Sequence, residues 1–169
     1  MNRFKLQYRF SKLFYRVIWF NFGRYIFNII PNRLFFLRNI LLRIYGAKIG
    51  RRSRIYNSAL IHFPKNLVIG NTVVIGRKVE IKNHEILFIG NFTTISQGAR
   101  LIDSTHDFST LSFPLRSKPI TIGDNVWIAQ EAFVGPGVTI KSEVVLGARA
   151  VCFKSLDKGI YIGNPIKSL

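Results

Sequence analysis

Three histidines, one cysteine and eight carboxylates are the residues of this 169-residue sequence best suited to chemistry. The histidines are His62, His84 and His106, the cysteine is Cys152, and every acid lies at or after Glu80. A neutral imidazole takes a proton from a hydroxyl, so a well-placed histidine is a candidate general base. A thiol is a candidate nucleophile or metal ligand. One cysteine makes no intrachain disulfide, and no Cys/His cluster has zinc-finger spacing, which fits a reducing compartment. Which chemistry is open depends on where the chain places these groups.

Placement is governed by a period of six that begins at Ile49. The hexads run IGRRSR, IYNSAL and IHFPKN, then after a two-residue offset IGNTVV, IGRKVE and IKNHEI, then after a second offset IGNFTT, ISQGAR and LIDSTH. After an interruption follow IGDNVW, IAQEAF, VGPGVT, IKSEVV and LGARAV. Position one is always aliphatic, position five is usually small, and position two is glycine in seven of the fourteen hexads. A chain that turns a corner every six residues points each leading aliphatic inward. Three corners close a triangular coil, and coils stack at the interstrand spacing of roughly 4.8 Å. Glycine is expected at corners that need unusual φ. Residues 49–106 give about three coils and residues 119–154 about two. The segment DFSTLSFPLRSK, residues 107–118, leaves the stack as a loop. Fourteen matches exclude an ordinary sandwich, which would show strict alternation and irregular turn spacing.

The frame sorts the reactive residues. His62 is second in its hexad, His84 fourth and His106 sixth, so the three do not stack on one edge as metal ligands. Surface solvation is expected for His62 and His84. Cys152 heads the next hexad, CFKSLD, and reads as a small core residue, not an acyl carrier. His106 stands where coiling breaks and the loop departs, which makes it the catalytic candidate. Asp103 and Asp107 flank it as alternative orienting groups.

Charge is divided as sharply as the repeat. Residues 1–79 hold 16 Lys/Arg and no acid, whereas the rest hold 9 against 8, so the halves carry +16 and +1 of the formal +17. Thirteen of the 23 aromatics precede residue 49. Between Lys5 and Val17 cations and apolar residues separate onto two faces at helical spacing, predicting an amphipathic helix. A second helix is expected after Pro31, with Asn32 as N-cap, a body from Arg33 to Tyr45 and Gly46 in the left-handed region. Arginines at 16, 24, 33, 38 and 43 break the region into pieces too short for a simple span, and it lacks a signal-peptide pattern. Residues 1–48 are thus expected as a basic, aromatic, helical segment at an anionic membrane surface, and residues 49–169 as the repeat domain.

The sequence resembles the hexapeptide-repeat acyltransferases, in particular the colanic-acid-biosynthesis O-acetyltransferases of bacterial exopolysaccharide clusters. The resemblance rests on LLRIYGAKIG before the first coil, STHDF before the loop, PITIGDNVWIAQEAFVGPGVTI after it and GNP near the end. It implies an all-β fold, a left-handed parallel β-helix preceded here by N-terminal amphipathic α-helices, assembled as a homotrimer. The handedness comes from the resemblance alone, since parallel crossovers are generally right-handed. It implies acetyl-CoA as donor with no metal, and direct transfer to a sugar or lipid-linked oligosaccharide hydroxyl. His106, in STHDF, occupies the position of the family's catalytic histidine. Asn83, in IKNHEI, matches an asparagine that positions substrate or oxyanion, although Lys82 and Glu85 depart from the usual pattern. Ala129, Gly147, Ala148 and Lys154 occupy the coenzyme A positions, with Phe153, Lys154, Ser155 standing where relatives commonly show Thr-Lys-Asp. Trp127 is expected to wall the acceptor or pantetheine channel, or to serve an interface.

The expected function is therefore O-acetylation of a bacterial surface-glycan intermediate by a protein peripheral at the cytoplasmic face of the inner membrane. A small soluble acceptor or amino sugar is the alternative among enzymes, and a noncatalytic membrane-associated scaffold the alternative outside them. Nucleic acid is not expected as a partner, because the basic region carries no recognised reading motif.

Overall fold

The computed structural model describes residues 15–168. The segment 5–14 of the expected amphipathic helix lies outside the described residues. Five stacked coils follow a helical cap. The first coil holds β1 (Lys48–Ile49), β2 (Arg54–Ile55) and β3 (Leu60–Ile61), and the second β4 (Leu67–Ile69), β5 (Val74–Ile75) and β6 (Glu80–Lys82). The third holds β7 (Leu87–Ile89), β8 (Thr94–Ile95) and β9 (Arg100–Ile102), after which β10 (Ser104–His106) and β11 (Leu115–Ser117) leave the stack. The fourth holds β12 (Ile120–Ile122), β13 (Trp127–Ile128) and β14 (Phe133–Val134), and the fifth β15 (Thr139–Ile140), β16 (Val144–Leu146) and β17 (Val151–Cys152). A final pair, β18 (Gly159–Ile162) and β19 (Lys167–Ser168), closes the far end against β16.

Strands one coil apart pair in parallel, giving three faces: β1-β4-β7-β12-β15, β2-β5-β8-β13-β16 and β3-β6-β9-β14-β17. Register is strict, with Ile55 on Ile75 on Ile95 on Ile128 on Leu146 along the second face. All five are fully buried, so each coil stacks its aliphatic residues on those of the next. The two-residue offsets fall between the third face and the first, where Pro64–Asn66 forms a 3-10 turn in the first coil and residues 83–86 bulge in the second.

The glycine expectation is corrected. Positive φ belongs to position four of the hexad, which carries Arg52, Thr72, Lys78, Phe92, Asn125, Glu131, Glu143 and Arg149 besides Gly98 and Gly137. The position-two glycines have no positive φ. A Cβ at Gly70 or Gly76 would lie 2.8 Å from the backbone nitrogen of Asn91 or Gln97, one coil away. Close stacking, not backbone conformation, selects glycine there.

The cap crosses the open end of the first coil. Residues 15–18 are helical, continue through a π-helical stretch Trp19–Gly23 into α1 (Arg24–Ile29), and stop before Pro31. A 3-10 turn Asn32–Leu34 leads into α2 (Phe35–Ile44), and Gly46 ends it at φ +88° as expected. Asn32 does not cap this helix; its Oδ1 accepts the Asn57 N–H at 3.1 Å, tying the helix start to the first coil. Trp19, Phe27 and Leu42 join the coil aliphatics in one hydrophobic core.

The cap also answers an electrostatic need of the stack. In each coil the carbonyl of the inward aliphatic accepts an N–H from the coil before it, as Gly50 N–H donates to Ile69 O at 2.8 Å and Tyr56 N–H to Ile75 O at 3.0 Å. In the first coil Ile49, Ile55 and Ile61 have no preceding coil. Their carbonyls accept instead from Arg43 (2.7 Å), Arg38 (2.8 Å) and Trp19 Nε1 (2.8 Å), one on each face, and Asn39 reaches Ser53 O at 2.7 Å. Arg38 is wholly buried, also donates to Ile30 O and Pro31 O, and stacks on Phe35 at 4.8 Å. Buried carbonyls without partners are costly, which explains why arginine and asparagine point inward here.

Candidate active site

The loop after the third coil is a hairpin, not an irregular excursion. β10 and β11 pair antiparallel, with Ser104 opposite Ser117 and His106 opposite Leu115. Asp107 holds its turn: the carboxylate accepts Ser109 N–H at 3.0 Å and Ser109 Oγ–H at 2.6 Å and faces Arg116 at 3.4 Å. These contacts, Ser109 foremost, hold the Asp107 carboxyl below its ordinary range.

His106 is exposed on this hairpin, and its Nδ1 lies 2.6 Å from the carbonyl oxygen of Phe113. A carbonyl only accepts, so Nδ1 carries the proton and Nε2 keeps an open lone pair in the neutral ring. Phe113 sits at φ +42°, a conformation rarely held by an L side chain outside glycine. The base and its orienting group thus travel on one hairpin. Both flanking carboxylates are engaged elsewhere. Asp107 is engaged as above, and Asp103 is fully buried, accepting Glu85 N–H at 2.6 Å and facing His84 Nδ1 at 3.2 Å.

His84 and His62 are more than solvated surface residues. His84 packs against Phe63 with ring centroids 5.0 Å apart and is anchored by Asp103. His62 lies edge-on to Phe20, with Nε2 3.6 Å from Glu80. Burial lowers its pKa and outweighs the opposing pull of Glu80. Among the described residues no group of three His, Cys, Asp or Glu side chains is arranged to hold a metal. Cys152 is buried, as its hexad position requires, and burial pushes its thiol pKa up.

Asn83 has a structural task. It is fully buried; its Oδ1 accepts Phe63 N–H at 3.1 Å and its Nδ2 donates to Phe63 O at 2.9 Å. The amide replaces strand pairing where the extra residues bulge, leaving both ends occupied. Trp127 is half exposed on the second face, donates to Ser96 Oγ at 2.9 Å, and walls a shallow groove of about 280 Å³ with Phe92, Thr94, Asn125 and Val126.

Three of the coenzyme A candidates, Ala129, Gly147 and Ala148, fall on a different edge from His106. Ala129 and Gly147 follow β13 and β16, which are in register, so they stack where the second face meets the third, with Ala148 exposed beside them. Ala129 N–H donates to Leu146 O and Gly147 N–H to Tyr161 O. A Cβ at Gly147 would come within 2.7 Å of the Ile162 side chain, so this corner stays narrow. Lys154 is on the edge of His106 and Asn83, between the third face and the first, two coils beyond the hairpin. Lys141, Arg149 and Lys158 pair with Asp157, Glu131 and Glu143, whereas Lys154 has no carboxylate partner among the described residues. A single chain therefore carries its expected site on two edges with the third face between them.

Two features of the site have no letter of their own in the sequence. A backbone carbonyl orients His106, and the His84–Asp103 contact joins residues nineteen apart that only the twenty-residue coil brings together.

No family model matches the chain. The colanic acid biosynthesis acetyltransferase WcaF of Escherichia coli is 37% identical over 149 residues, covering 88% of this chain and 82% of that protein. The galactoside O-acetyltransferase of Escherichia coli is 25% identical over 126 residues, covering 73% and 62%. Among solved structures, a maltose O-acetyltransferase from Clostridium difficile superposes with a TM-score of 0.80 at 21% identity, covering 87% of this chain and 81% of that one. A galactoside acetyltransferase in complex with coenzyme A gives 0.78 at 22%, covering 92% and 79%. The fold is thus the left-handed parallel β-helix of these enzymes. With the repeat, the hairpin histidine and this identity over most of both chains, the protein belongs to the hexapeptide-repeat acetyltransferases, alongside the colanic acid biosynthesis enzymes.

Proposed function

We propose that the protein transfers the acetyl group of acetyl-CoA to a sugar hydroxyl of a bacterial exopolysaccharide or other surface-glycan intermediate. One observation carries the reading: the Phe113 carbonyl fixes the proton of His106 on Nδ1 and leaves Nε2 open at the exposed end of a hairpin. Nε2 takes the hydroxyl proton as the oxygen attacks the thioester carbonyl. The new C–O bond forms, the C–S bond breaks, and the proton passes from Nε2 to the departing thiolate. Such a base contributes about a hundredfold or more to rate.

The small residues Ala129, Gly147 and Ala148 fit a pantetheine arm passing close to backbone, and Lys154, which has no carboxylate partner among the described residues, fits a nucleotide phosphate, which gains a charge-assisted hydrogen bond. Because these candidates lie on two edges of one chain, the reading includes a homotrimer in which one protomer's edge faces its neighbour's. Trp127 and the groove beside it are the acceptor wall in this arrangement. The protein works peripherally at the cytoplasmic face of the membrane, where a lipid-linked acceptor is reached.

Mass spectrometry of glycans from cells with and without this gene tests the acceptor class, beside calorimetric titration with coenzyme A. An acetyl group present only with the gene, together with saturable binding, is expected. Unchanged glycans with acetylation of a small soluble sugar would move the acceptor to that class, and absence of coenzyme A binding would overturn the enzyme reading. Light scattering should give three times the chain mass.

A further inference from the structure

The outward face of the helical cap has a composition that water does not favour. In α2 the residues facing the first coil are Arg38, Asn39 and Leu42, while Phe36, Ile40 and Ile44 face away and are exposed, Ile44 at 75%. The preceding helix turns Trp19, Gly23 and Phe27 inward and leaves Phe22, Tyr25 and Ile29 outside, each at least 60% exposed. A helix on a water-soluble surface normally shows the opposite arrangement. These six large side chains are turned away from the core that the cap covers, and exposed apolar side chains gathered on one element mark an interaction surface.

Charge identifies the occupant. No acid occurs before Glu80, and Arg16, Arg33, Lys48, Arg51 and Arg52 are exposed in and beside the cap. A second copy docked here would bring two strongly basic, acid-free ends together, which repel. A layer with apolar chains beneath anionic headgroups matches both the apolar face and the cationic rim. Among the described residues no helix is long and apolar enough to cross a membrane, so the face lies on the bilayer.

We infer that the outer face of the cap, centred on Phe22, Tyr25, Ile29, Phe36, Ile40 and Ile44, seats the protein on an anionic lipid bilayer with the coil axis rising from it. This deepens the proposed peripheral location, on which it rests, and adds a substrate constraint. The catalytic hairpin leaves the third coil, two coil spacings beyond the first, and the cap adds one helix layer. The hairpin root then stands roughly 20 Å above the headgroups. The acceptor sugar must reach that height, as a unit of an oligosaccharide would and a single sugar joined directly to lipid would not.

Point variants of the full chain are the test, since removing the cap would uncover the carbonyls it covers. Flotation with phosphatidylcholine vesicles, with and without phosphatidylglycerol, is compared for wild type and Phe36→Asp/Ile40→Asp. Wild type should float with the anionic vesicles and be partly released by high salt, and the double variant should float about tenfold less, as loss of inserted apolar area demands. The variant should retain coenzyme A binding and acetyl transfer to a soluble sugar. Wild type remaining in solution with anionic vesicles, or the variant floating equally well, overturns the inference. A change of oligomeric mass in the variant without vesicle binding by wild type would overturn it in favour of a contact between copies. Loss of transfer with flotation intact would count against the proposed activity and leave the membrane face standing.

Discussion

The coils and the cap obey opposite rules of burial. In the coils aliphatic residues point in and polar residues mostly point out, so Ile55 and Ile95 join the core while Arg54 and Thr94 sit beside them on the outer side. In the cap arginine and asparagine point in and phenylalanine and isoleucine point out. The coils satisfy their backbone through one another, so side chains are free to follow hydrophobicity. The first coil lacks a neighbour on one side, and there the need to pair buried carbonyls decides which side chain turns inward. One consequence is that a buried position in this protein cannot be read from hydrophobicity alone.

The largest effect that tests this contrast is expected at Arg38. Arg38→Met keeps volume but leaves the Ile55 and Ile30 carbonyls without their donor and the Pro31 carbonyl with only the Leu34 N–H, and should cost about 3 kcal/mol or more in urea unfolding. A loss below about 1 kcal/mol would mean that the cap is held by packing alone, and the contrast would fail. His106→Ala lies on the outside of the stack, where stability is not at stake. Turnover should fall by about a hundredfold, near 2.7 kcal/mol of barrier, with an unchanged unfolding curve. Near-normal turnover in a folded variant would remove His106 as the base.

Asn83→Ala sharpens the comparison inside the coils, where this buried polar residue imitates the cap. It strips the Phe63 N–H of its partner and leaves the Phe63 carbonyl only the Asn66 N–H, and should cost about 1–3 kcal/mol of stability with little change in kcat/KM. The reverse pattern would return Asn83 to the substrate site. The smallest effect concerns His62. Burial holds its folded pKa below the ordinary value near 6.5, so the unfolded chain binds the proton more readily. The stability this gives is full above about pH 6.5 and is lost as pH falls toward the folded value. Melting temperature measured between about pH 7 and about pH 5 should therefore drop more in wild type than in His62→Leu. Equal slopes would show that Glu80 compensates the burial.

The period of six makes the coils, their number and the position of the break legible in the amino-acid sequence, because each hexad repeats one local decision. Glycine follows a different logic from the one its frequency at corners suggests. At Gly70 the constraint comes from Asn91, on the next coil, and such a contact has no local signature. Phe113 is invisible as a site residue for a related reason: its contribution is a carbonyl aimed by an unusual φ, and any residue type supplies the same atom. The inward turn of Arg38 is equally hidden, since helical spacing marks an arginine as surface unless the orphan carbonyls opposite it are known.

The hairpin that bears His106 begins after Ile102 and ends before Ile120, yet Ile120 resumes on Leu87 in the register the stack would have had without interruption. The scaffold is indifferent to what is inserted between the two strands. Lengthening or exchanging the hairpin adds only loop-closure entropy, which grows with the logarithm of length. The fold is thus a mount with an interchangeable tool: base, orienting carbonyl and turn can be replaced as one cassette, while the coils that carry them remain as they are.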